Sequence, residues 1–382
     1  MKFIHMGDCH LGGWSQPELK ELNFRHFKEA VKRSIKERPD FILISGDLFD
    51  NAYPSIDILK QSFEEFRKIN DASIPVYLIA GSHDYSVSGK TFLEVLEKAG
   101  FCKNVSKYEE KGEKIILEPT IHENVAIYGY PGKKSGLEVD EIEKIKLQDC
   151  PGLFKILMLH TTLRGAIGDI PVKAVDEKAL PKVDYLALSH LHINYRKGST
   201  VYSGPTFPNN ISELEELKGG SFFIFENGKV TREEIKIKEV LSIHLEINNS
   251  LTITEEMINL LKNEQVKDKI IIIRLSGILE KGKLSDIDFN RLEISLKERG
   301  AFVLLKSTSK LHMAEAEVKL DIQDSEDLEF QVIKKFEENN KSKFNSNISN
   351  LITALQIEKL EDETTLTFED RLLSDIRRIL QI

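Results

Sequence analysis

The first hundred residues alternate short apolar runs with longer amphipathic stretches, and this alternation restricts the fold more than any other feature of the sequence. Three apolar runs have the length of buried strands, at residues 2–6, 41–44 and 76–80. The stretches beside them repeat apolar side chains at helical spacing, at residues 17–37, from Pro54-Ser55 onward and at 90–99. Strand–helix–strand order of this kind predicts a parallel sheet with crossover helices.

Further apolar runs predict that the sheet system continues well beyond residue 100. Strands are expected at 114–117, 125–129, 154–159, 184–188 and 200–203. A hairpin that turns on Asn227-Gly228 follows them, because Asn-Gly favours the tight turns that join antiparallel strands. We therefore predict one large α/β domain over residues 1–238.

The pattern changes near residue 240, where a second, smaller α/β arrangement begins. Helices are expected at about 254–263 and 285–299, between strands at 243–247, 270–275 and 301–305. We predict a small capping domain over 239–325, with DNA binding as its expected role, and a polar linker over 326–346.

Two amphipathic helices are expected within the last segment, residues 347–382. Their apolar stripes include Leu351, Leu355, Leu372 and Ile376. Such stripes on helices joined by a polar linker usually mark a groove for a partner. Packing against their own domain is the alternative.

Composition limits the class of protein. Of the 382 residues, 41% are hydrophobic and 30% charged, which is typical of a globular protein with ample material for a core. No apolar run approaches the ~18 residues needed to cross a bilayer, and the N-terminus lacks the apolar core of a signal peptide. Three widely spaced cysteines favour a reducing compartment, so we expect a cytoplasmic protein. A net charge of −9 argues against coating nucleic acid by charge alone, but not against an enzyme that cleaves phosphodiesters.

Five of the predicted strands end in residues that can bind a metal. In chain order these strand ends carry Asp8-Cys9-His10, Gly46-Asp47, Gly81-Ser82-His83-Asp84, His160 and His190-Leu191-His192. The carboxyl ends of strands in an open α/β sheet lie along one edge, so we expect these residues to meet although they are far apart in the chain. The other histidines are expected on strand faces or the surface: His5, His26, His122, His244 and His312.

The residue types at these strand ends suit a pair of divalent ions. Imidazole nitrogen and carboxylate oxygen bind Mn, Fe or Zn, and this set exceeds the needs of one tetrahedral ion. Two ions about 3.5–4 Å apart form the standard clamp for in-line attack on a phosphoryl centre. Taken singly, each motif has a plainer interpretation as a hydrogen-bonded loop or turn residue. All five in this order favour the metal site.

These motifs resemble the signature of the calcineurin-like metallophosphoesterases. Within that superfamily the chain is similar to the SbcD-type double-strand-break repair nucleases, prokaryotic relatives of the meiotic recombination nuclease. The similarity rests on residues 2–12, on Ile44-Ser45-Gly46-Asp47-Leu48-Phe49-Asp50, and on the small domain and helices that follow. It implies a sandwich of two mixed sheets flanked by helices, with the small α/β capping domain and C-terminal helices added.

The resemblance also implies a role for each strand-end residue. One ion would be held by Asp8, His10, Asp47 and His192, and the other by Asp47, Ser82, His160 and His190, with Asp47 as the bridge. His83 would donate a proton to the leaving 3′ oxygen or stabilise it. Asp84 would orient His83 or brace its loop.

Ser82 departs from the family, which usually has Asn at this position. A serine hydroxyl is shorter than an amide carbonyl and a weaker donor to a metal. We therefore expect Ser82 to bind the second ion weakly or through a water, and activity to require more Mn²⁺ than usual.

The resemblance implies a nuclease that uses two Mn²⁺, with Mg²⁺ or other divalent ions as alternatives. It would degrade duplex DNA 3′ to 5′, cut single strands internally, and work on the nucleoid with an SbcC-like coiled-coil ATPase of the SMC type. That ATPase would bind the C-terminal helices, and the chain would dimerise through helices of its N-terminal half, with no membrane involved. Two alternatives stay open: a phosphodiesterase for small substrates, which would not need the extra domain, and a structural subunit with an impaired second metal site.

Overall fold

The computed structural model describes residues 1–85, 91–133, 136–168, 170–313, 345–357 and 365–380. The chain forms two compact units, one of Met1–Gly277 with Lys281–Leu311 and one of Ile278–Glu280 with His312–Ile382. The boundaries predicted at 238 and 325 stay a prediction. Residues 314–325 of the expected capping domain and 326–344 of the expected linker lie outside the described residues, as does Lys90 at the start of the third predicted helix.

The first 238 residues contain the strands and helices that the sequence pattern indicates, together with several short elements that it does not indicate. The elements in the first part of this region are β1 (Lys2–Met6), α1 (Pro17–Glu37), β2 (Phe41–Ile44), α2 (Ile56–Asp71), β3 (Val76–Leu78), α3 (Leu93–Lys98), β4 (Lys103–Asn104), β5 (Tyr108–Lys111), β6 (Lys114–Leu117), β7 (Thr120–His122) and β8 (Val125–Tyr130). The elements that follow are α4 (Glu138–Ile142), β9 (Ile145–Leu147), β10 (Phe154–His160), α5 (Arg164–Ile167), β11 (Tyr185–Ser189), β12 (Tyr195–Lys197), β13 (Thr200–Tyr202), α6 (Ile211–Leu217), β14 (Gly220–Glu226) and β15 (Lys229–Ile235).

The first large sheet contains the predicted parallel arrangement. Its strand order is β15-β14-β1-β2-β3-β4. β1, β2, β3 and β4 run parallel, while β14 pairs antiparallel with β1 and forms the predicted hairpin with β15. The crossover helix α2 begins where the sequence indicates, because the Ser55 hydroxyl accepts a hydrogen bond from the Ile58 N–H and caps it.

The second large sheet, of order β12-β13-β11-β10-β8-β7, packs against the first. The layer between them is apolar and includes Phe3 and Leu43 from the first sheet and Ile127 and Met158 from the second. Ile4, which alternates with Phe3 on β1, belongs instead to the core beneath α1 and α2. Both sheets mix parallel and antiparallel pairs, so the predicted sandwich of two mixed sheets flanked by helices is confirmed. A small third sheet has the order β5-β6-β9.

The chain continues into the small α/β arrangement expected after residue 240. It consists of β16 (Val240–Glu246), α7 (Ile253–Leu261), β17 (Ile270–Leu279), α8 (Phe289–Glu298) and β18 (Val303–Met313). The three strands form one sheet of order β16-β17-β18. Within the first unit, residues of β17 and β18 share a buried apolar cluster with α1 and α6.

Two C-terminal helices are present at the expected places, α9 (Ile348–Leu355) and α10 (Thr365–Leu380). They contact each other, and Leu351, Leu372 and Ile376 of the predicted stripes are half-buried. Leu355 of the predicted stripe is 61% exposed. Leu373, which follows Leu372 on α10, is 49% exposed. No helix among the described residues is long and apolar enough to span a membrane.

Candidate functional site

The loops that follow five strands of the two large sheets meet at one edge of the sandwich. β1, β2 and β3 are followed closely by Asp8, Asp47 and Ser82, while β10 ends at His160 and β11 ends just before His190. Side chains of loops from both sheets contact one another there, as the strand-end pattern predicts.

Asp8, His10 and His192 form the first group of candidate ligands. His10 Nε2 lies 3.0 Å from His192 Nε2, and His192 Nε2 lies 4.0 Å from Asp8 Oδ1. One ligand atom from each residue lies within 4.8 Å of the others, close enough to share an ion. These are three of the four residues that the resemblance assigns to one ion.

Asp8, Asp47 and His160 form a second group with the same spacing. Asp47 Oδ2 lies 3.1 Å from His160 Nε2 and 3.7 Å from His10 Nε2. The Asp47 carboxylate therefore contacts candidate ligands of both expected ions, which is the position that a bridging carboxylate requires.

Ser82 and His190 border the second group. Ser82 Oγ donates a hydrogen bond to Asp47 Oδ2 over 3.4 Å. The His190 ring packs against the His160 ring with centroids 5.0 Å apart, and its backbone N–H donates to both Asp8 oxygens, at 3.0 and 3.1 Å. All seven residues predicted as ligands thus lie in one contiguous cluster, with Ser82 held by a long hydrogen bond.

His83 lies at the open side of this cluster. Its backbone N–H donates to Asp47 Oδ1 over 2.7 Å, and its ring packs edge-on against His10. Its Nδ1 lies 2.7 Å from the backbone carbonyl oxygen of Asp50. Because a carbonyl only accepts, Nδ1 carries a proton in this contact, which leaves Nε2 of an exposed ring to face a substrate.

The nitrogen and oxygen atoms of the cluster are placed better for binding metal ions than for forming hydrogen bonds with one another. Two facing Nε2 atoms, those of His10 and His192, compete for one proton at 3.0 Å. The buried His160 Nε2 has no hydrogen-bond partner among the described residues, although an Asp47 oxygen lies 3.1 Å away. Buried polar atoms normally have hydrogen-bond partners. Buried ring nitrogens that lack a suitable partner are available to bind a cation.

Backbone strain accompanies the cluster. Asp8, His10, Asp47 and His190 all have positive φ angles, of 47°, 42°, 48° and 96°. Residues with a Cβ seldom adopt this conformation, although Asp and His do so more readily than most, and such strained residues persist where the surrounding structure enforces them. The loops therefore aim the candidate ligands inward at some cost in backbone energy.

Burial and mutual contact shift the pKa values of the cluster in opposite directions. Burial raises the pKa of the Asp8 carboxyl. Burial acts in the same direction on Asp47, but the adjacent His160 and His10 outweigh it and lower the Asp47 pKa. Burial disfavours the charged form of His160, yet Asp47 raises the His160 pKa to about 9. Two buried carboxylates thus depend on nearby positive charge, which divalent ions would supply.

Three residues behind the cluster were not assigned from the sequence: Asp50, Asn209 and Glu213. Asp50 Oδ1 lies 3.2 Å from His10 Nδ1 and accepts a hydrogen bond from Asn209 Nδ2 over 3.1 Å. Glu213 Oε2 lies 2.9 Å from His192 Nδ1. A carboxylate on the second ring nitrogen is the usual partner of a metal-binding histidine.

His5 is also part of the supporting structure. It was expected on a strand face, and it lies fully buried between the sheets, where Nε2 contacts Ser45 Oγ over 3.0 Å and Nδ1 contacts the Tyr185 hydroxyl over 3.1 Å. His160 Nδ1 lies nearby, 2.9 Å from Ser189 Oγ and 3.3 Å from the Ser45 carbonyl. His26 is buried in a helix, so its expected place on a strand face or the surface was wrong.

Asp84 braces the site instead of orienting His83. Its carboxylate accepts hydrogen bonds from the backbone N–H groups of Gly81, Leu48 and Phe49, at 2.9, 3.3 and 3.0 Å. These contacts join the loop after β3 to the loop after β2, which fixes Asp47 and Ser82 relative to each other.

Comparison with known proteins identifies this arrangement. Residues 1–194 match the family model described as calcineurin-like phosphoesterase. The chain belongs to that family. It is therefore a metal-dependent phosphodiester hydrolase, and the family's use of divalent ions agrees with the two groups of candidate ligands.

Individual relatives of this phosphoesterase are moderately similar. A DNA double-strand break repair protein Mre11 of Methanocaldococcus jannaschii is 27% identical over 70% of this chain and 75% of its own. An Mre11 protein of Methanococcus maripaludis is 27% identical over 70% of this chain and 71% of its own. An uncharacterized metallophosphoesterase of Bacillus subtilis, YhaO, is 28% identical over 63% of this chain and 61% of its own.

Proposed function

We propose that this phosphoesterase is a Mn²⁺-dependent DNA nuclease that uses two metal ions and acts in double-strand-break repair. The observation that carries the proposal is the gathering of seven candidate ligands and His83 at one edge of the sandwich, with Asp47 in contact with both groups. Relatives that are named as double-strand break repair proteins support DNA as the substrate.

The proposed roles are those that the family resemblance implies. One ion would be held by Asp8, His10, Asp47 and His192, and the second by Asp47, Ser82, His160 and His190. When bound, such ions lower the pKa of water and offset the charge that builds on the phosphoryl oxygens. As an imidazolium, with Nδ1–H donated to the Asp50 carbonyl, His83 would hold the Nε2 proton at the leaving 3′ oxygen and transfer it there as the P–O bond breaks.

The proposed activities are 3′ to 5′ degradation of duplex ends and internal cleavage of single strands. A blunt duplex labelled at the 5′ end of one strand distinguishes the direction in the presence of Mn²⁺. Degradation from the 3′ end gives a ladder of labelled fragments that shorten with time, whereas early release of a labelled mononucleotide contradicts it. Linearisation of a circular single strand reports the internal cleavage, and His83→Ala is the control for a contaminating nuclease.

We also propose that the C-terminal helices bind the coiled-coil base of an SMC-type ATPase on the nucleoid. The exposed side chains of Leu355 on α9 and Leu373 on α10 support an apolar contact of this kind. A double Glu substitution at these two positions should abolish co-purification with such an ATPase while nuclease activity of the isolated chain is retained. Unchanged co-purification excludes this binding mode.

A homodimer is proposed through the surface of α2 and α3. An exposed Ile56 lines a groove there with Leu59, Phe63 and Phe101, and the charged Lys60, Glu64 and Arg67 complete its lining. Val95 of α3 is also exposed. Apolar side chains clustered on one face commonly mark a contact between subunits. Light scattering should give twice the chain mass for the wild type and a monomer for Ile56→Glu.

A further inference from the structure

Helix α6 lies between the candidate metal cluster and the small α/β segment that begins at β16. The residues before and within it face two ways. Asn209 contacts Asp50 behind the cluster, and Glu213 contacts His192 within it. On the other side, Ser212 and Glu215 contact residues of β16 and β17. The helix is only seven residues long, so these contacts are separated by about one turn.

On the side of the cluster, α6 supports two candidate ligands at once. Glu213 Oε2 lies 2.9 Å from His192 Nδ1 and also accepts a hydrogen bond from the Asn209 N–H over 2.7 Å. The Asn209 side chain reaches Asp50, which contacts His10 Nδ1. The orientation of both histidines whose Nε2 atoms face each other at 3.0 Å therefore depends on the start of this helix.

On the other side, Arg274 of β17 holds the helix. Its Nε lies 2.5 Å from Glu215 Oε2, and its Nη2 donates to Ser212 Oγ over 2.9 Å. His244 of β16 contacts the second Glu215 oxygen over 3.0 Å. The Arg274 and Glu215 side chains are only 23% and 16% exposed, so this ion pair is screened less than a surface pair.

Apolar packing stiffens the same connection. Leu214, between the two glutamates, is buried in a cluster with Leu22 of α1 and with Ile272 and Leu305 of the small sheet. A short helix clamped by apolar contacts cannot rotate or slide without moving both of its polar ends.

We infer that the ion pair between Arg274 and Glu215 positions His192 and His10, so that the small α/β segment sets the affinity of the metal cluster through α6. The inference rests on the proposed metal site and adds to it a positioning role for residues that do not touch the cluster. A change in the small segment, such as contact with DNA or a partner, would thereby alter metal binding.

Calorimetric titration of the metal-free, full-length protein with Mn²⁺ tests this without reference to activity. Removal of a carboxylate behind a ligand weakens metal binding by about 10-fold, which is the expectation for Glu213→Gln. Arg274→Ala removes a group one contact further from the cluster. It should lower the affinity for one of the two Mn²⁺ ions by a smaller factor, about 3. Arg291→Ala is the matched control, because it removes an arginine from the same segment that pairs with Glu255 and not with α6.

The reversed pair, Glu215→Arg with Arg274→Glu, separates positioning from a loss of folding. If the pair positions the histidines, the double variant recovers most of the Mn²⁺ affinity that Arg274→Ala loses. If Arg274→Ala binds Mn²⁺ as the wild type does, even with a lowered melting temperature, the inference is wrong. If the wild type itself binds no Mn²⁺, the proposed metal site fails first and takes the inference with it.

Discussion

Ser82 is the residue at which this chain departs from the ligand pattern that the family resemblance implies. Its hydroxyl contacts Asp47 Oδ2 only over 3.4 Å, while every other candidate ligand is a histidine or a carboxylate. A neutral hydroxyl offers an ion less than an amide carbonyl at the same place. The second metal site is therefore the weaker part of the proposed centre.

The variant Ser82→Asn should lower the Mn²⁺ concentration needed for half-maximal cleavage of DNA. The amide carbonyl reaches further and is a better donor, and we expect a change of about 10-fold, the size of effect that supporting groups at metal sites have. Ser82→Ala provides the comparison, and should leave the Mn²⁺ requirement equal or higher. Identical Mn²⁺ curves for Ser82→Asn and the wild type would show that position 82 does not bind the metal.

His26 makes the stability of the fold depend on pH. Burial lowers its pKa to about 4, whereas the unfolded chain takes up the same proton near pH 6.5. The contribution of neutral His26 is thus fully present above pH 6.5 and is lost as the pH falls toward 4.

The variant His26→Phe should reduce this sensitivity to acid while its ring still packs on Phe207. Between pH 7 and pH 5, the free energy of unfolding of the wild type should fall by about 2 kcal/mol more than that of the variant. Urea unfolding at both pH values measures the difference. Parallel losses in the two proteins would refute the assignment to His26.

At the scale of elements, the site depends on how the loops after β2 and β3 are joined. Asp84 accepts three backbone hydrogen bonds that connect these loops, and none of the three comes from His83. Gly81 allows the approach, because a Cβ there would lie 2.2 Å from Asp47 Oδ1.

Asp84→Ala should leave three buried N–H groups without acceptors. We expect a loss of about 3 kcal/mol in the free energy of unfolding, together with weaker Mn²⁺ binding, because Asp47 is no longer held in place. Urea unfolding and Mn²⁺ titration measure the two effects. Asp71→Ala, which removes an exposed carboxylate at the end of α2, should change neither; equal behaviour of the two variants would contradict the bracing role.

The elements themselves could be predicted where their periodicity was long. The range expected for α1, residues 17–37, is the observed one, because its apolar face and Pro17 mark it clearly. The strand-end ligands could be predicted because parallel strands bring their carboxyl ends together. Asn209 and Glu213 could not, since they belong to a seven-residue helix whose contacts depend on the packing of distant segments.

At the scale of the molecule, the two sheets together hold the residues of the proposed chemistry. The first sheet supplies Asp8, His10 and Asp47, and the second supplies His160 and His190. Neither sheet carries a complete set of ligands, so the cluster forms only when the sandwich is closed. The division of strands between two sheets was implied by the family resemblance and could not be derived from periodicity alone.

The central claim is that this cluster cleaves DNA with the help of His83. The most direct measurement is the cleavage of linear duplex DNA and, separately, of a small chromogenic phosphodiester by the purified protein with Mn²⁺. The His83→Ala variant is assayed in parallel. Our account predicts cleavage of DNA that is lost in the variant. Hydrolysis of the small ester alone, or of neither substrate, would contradict it.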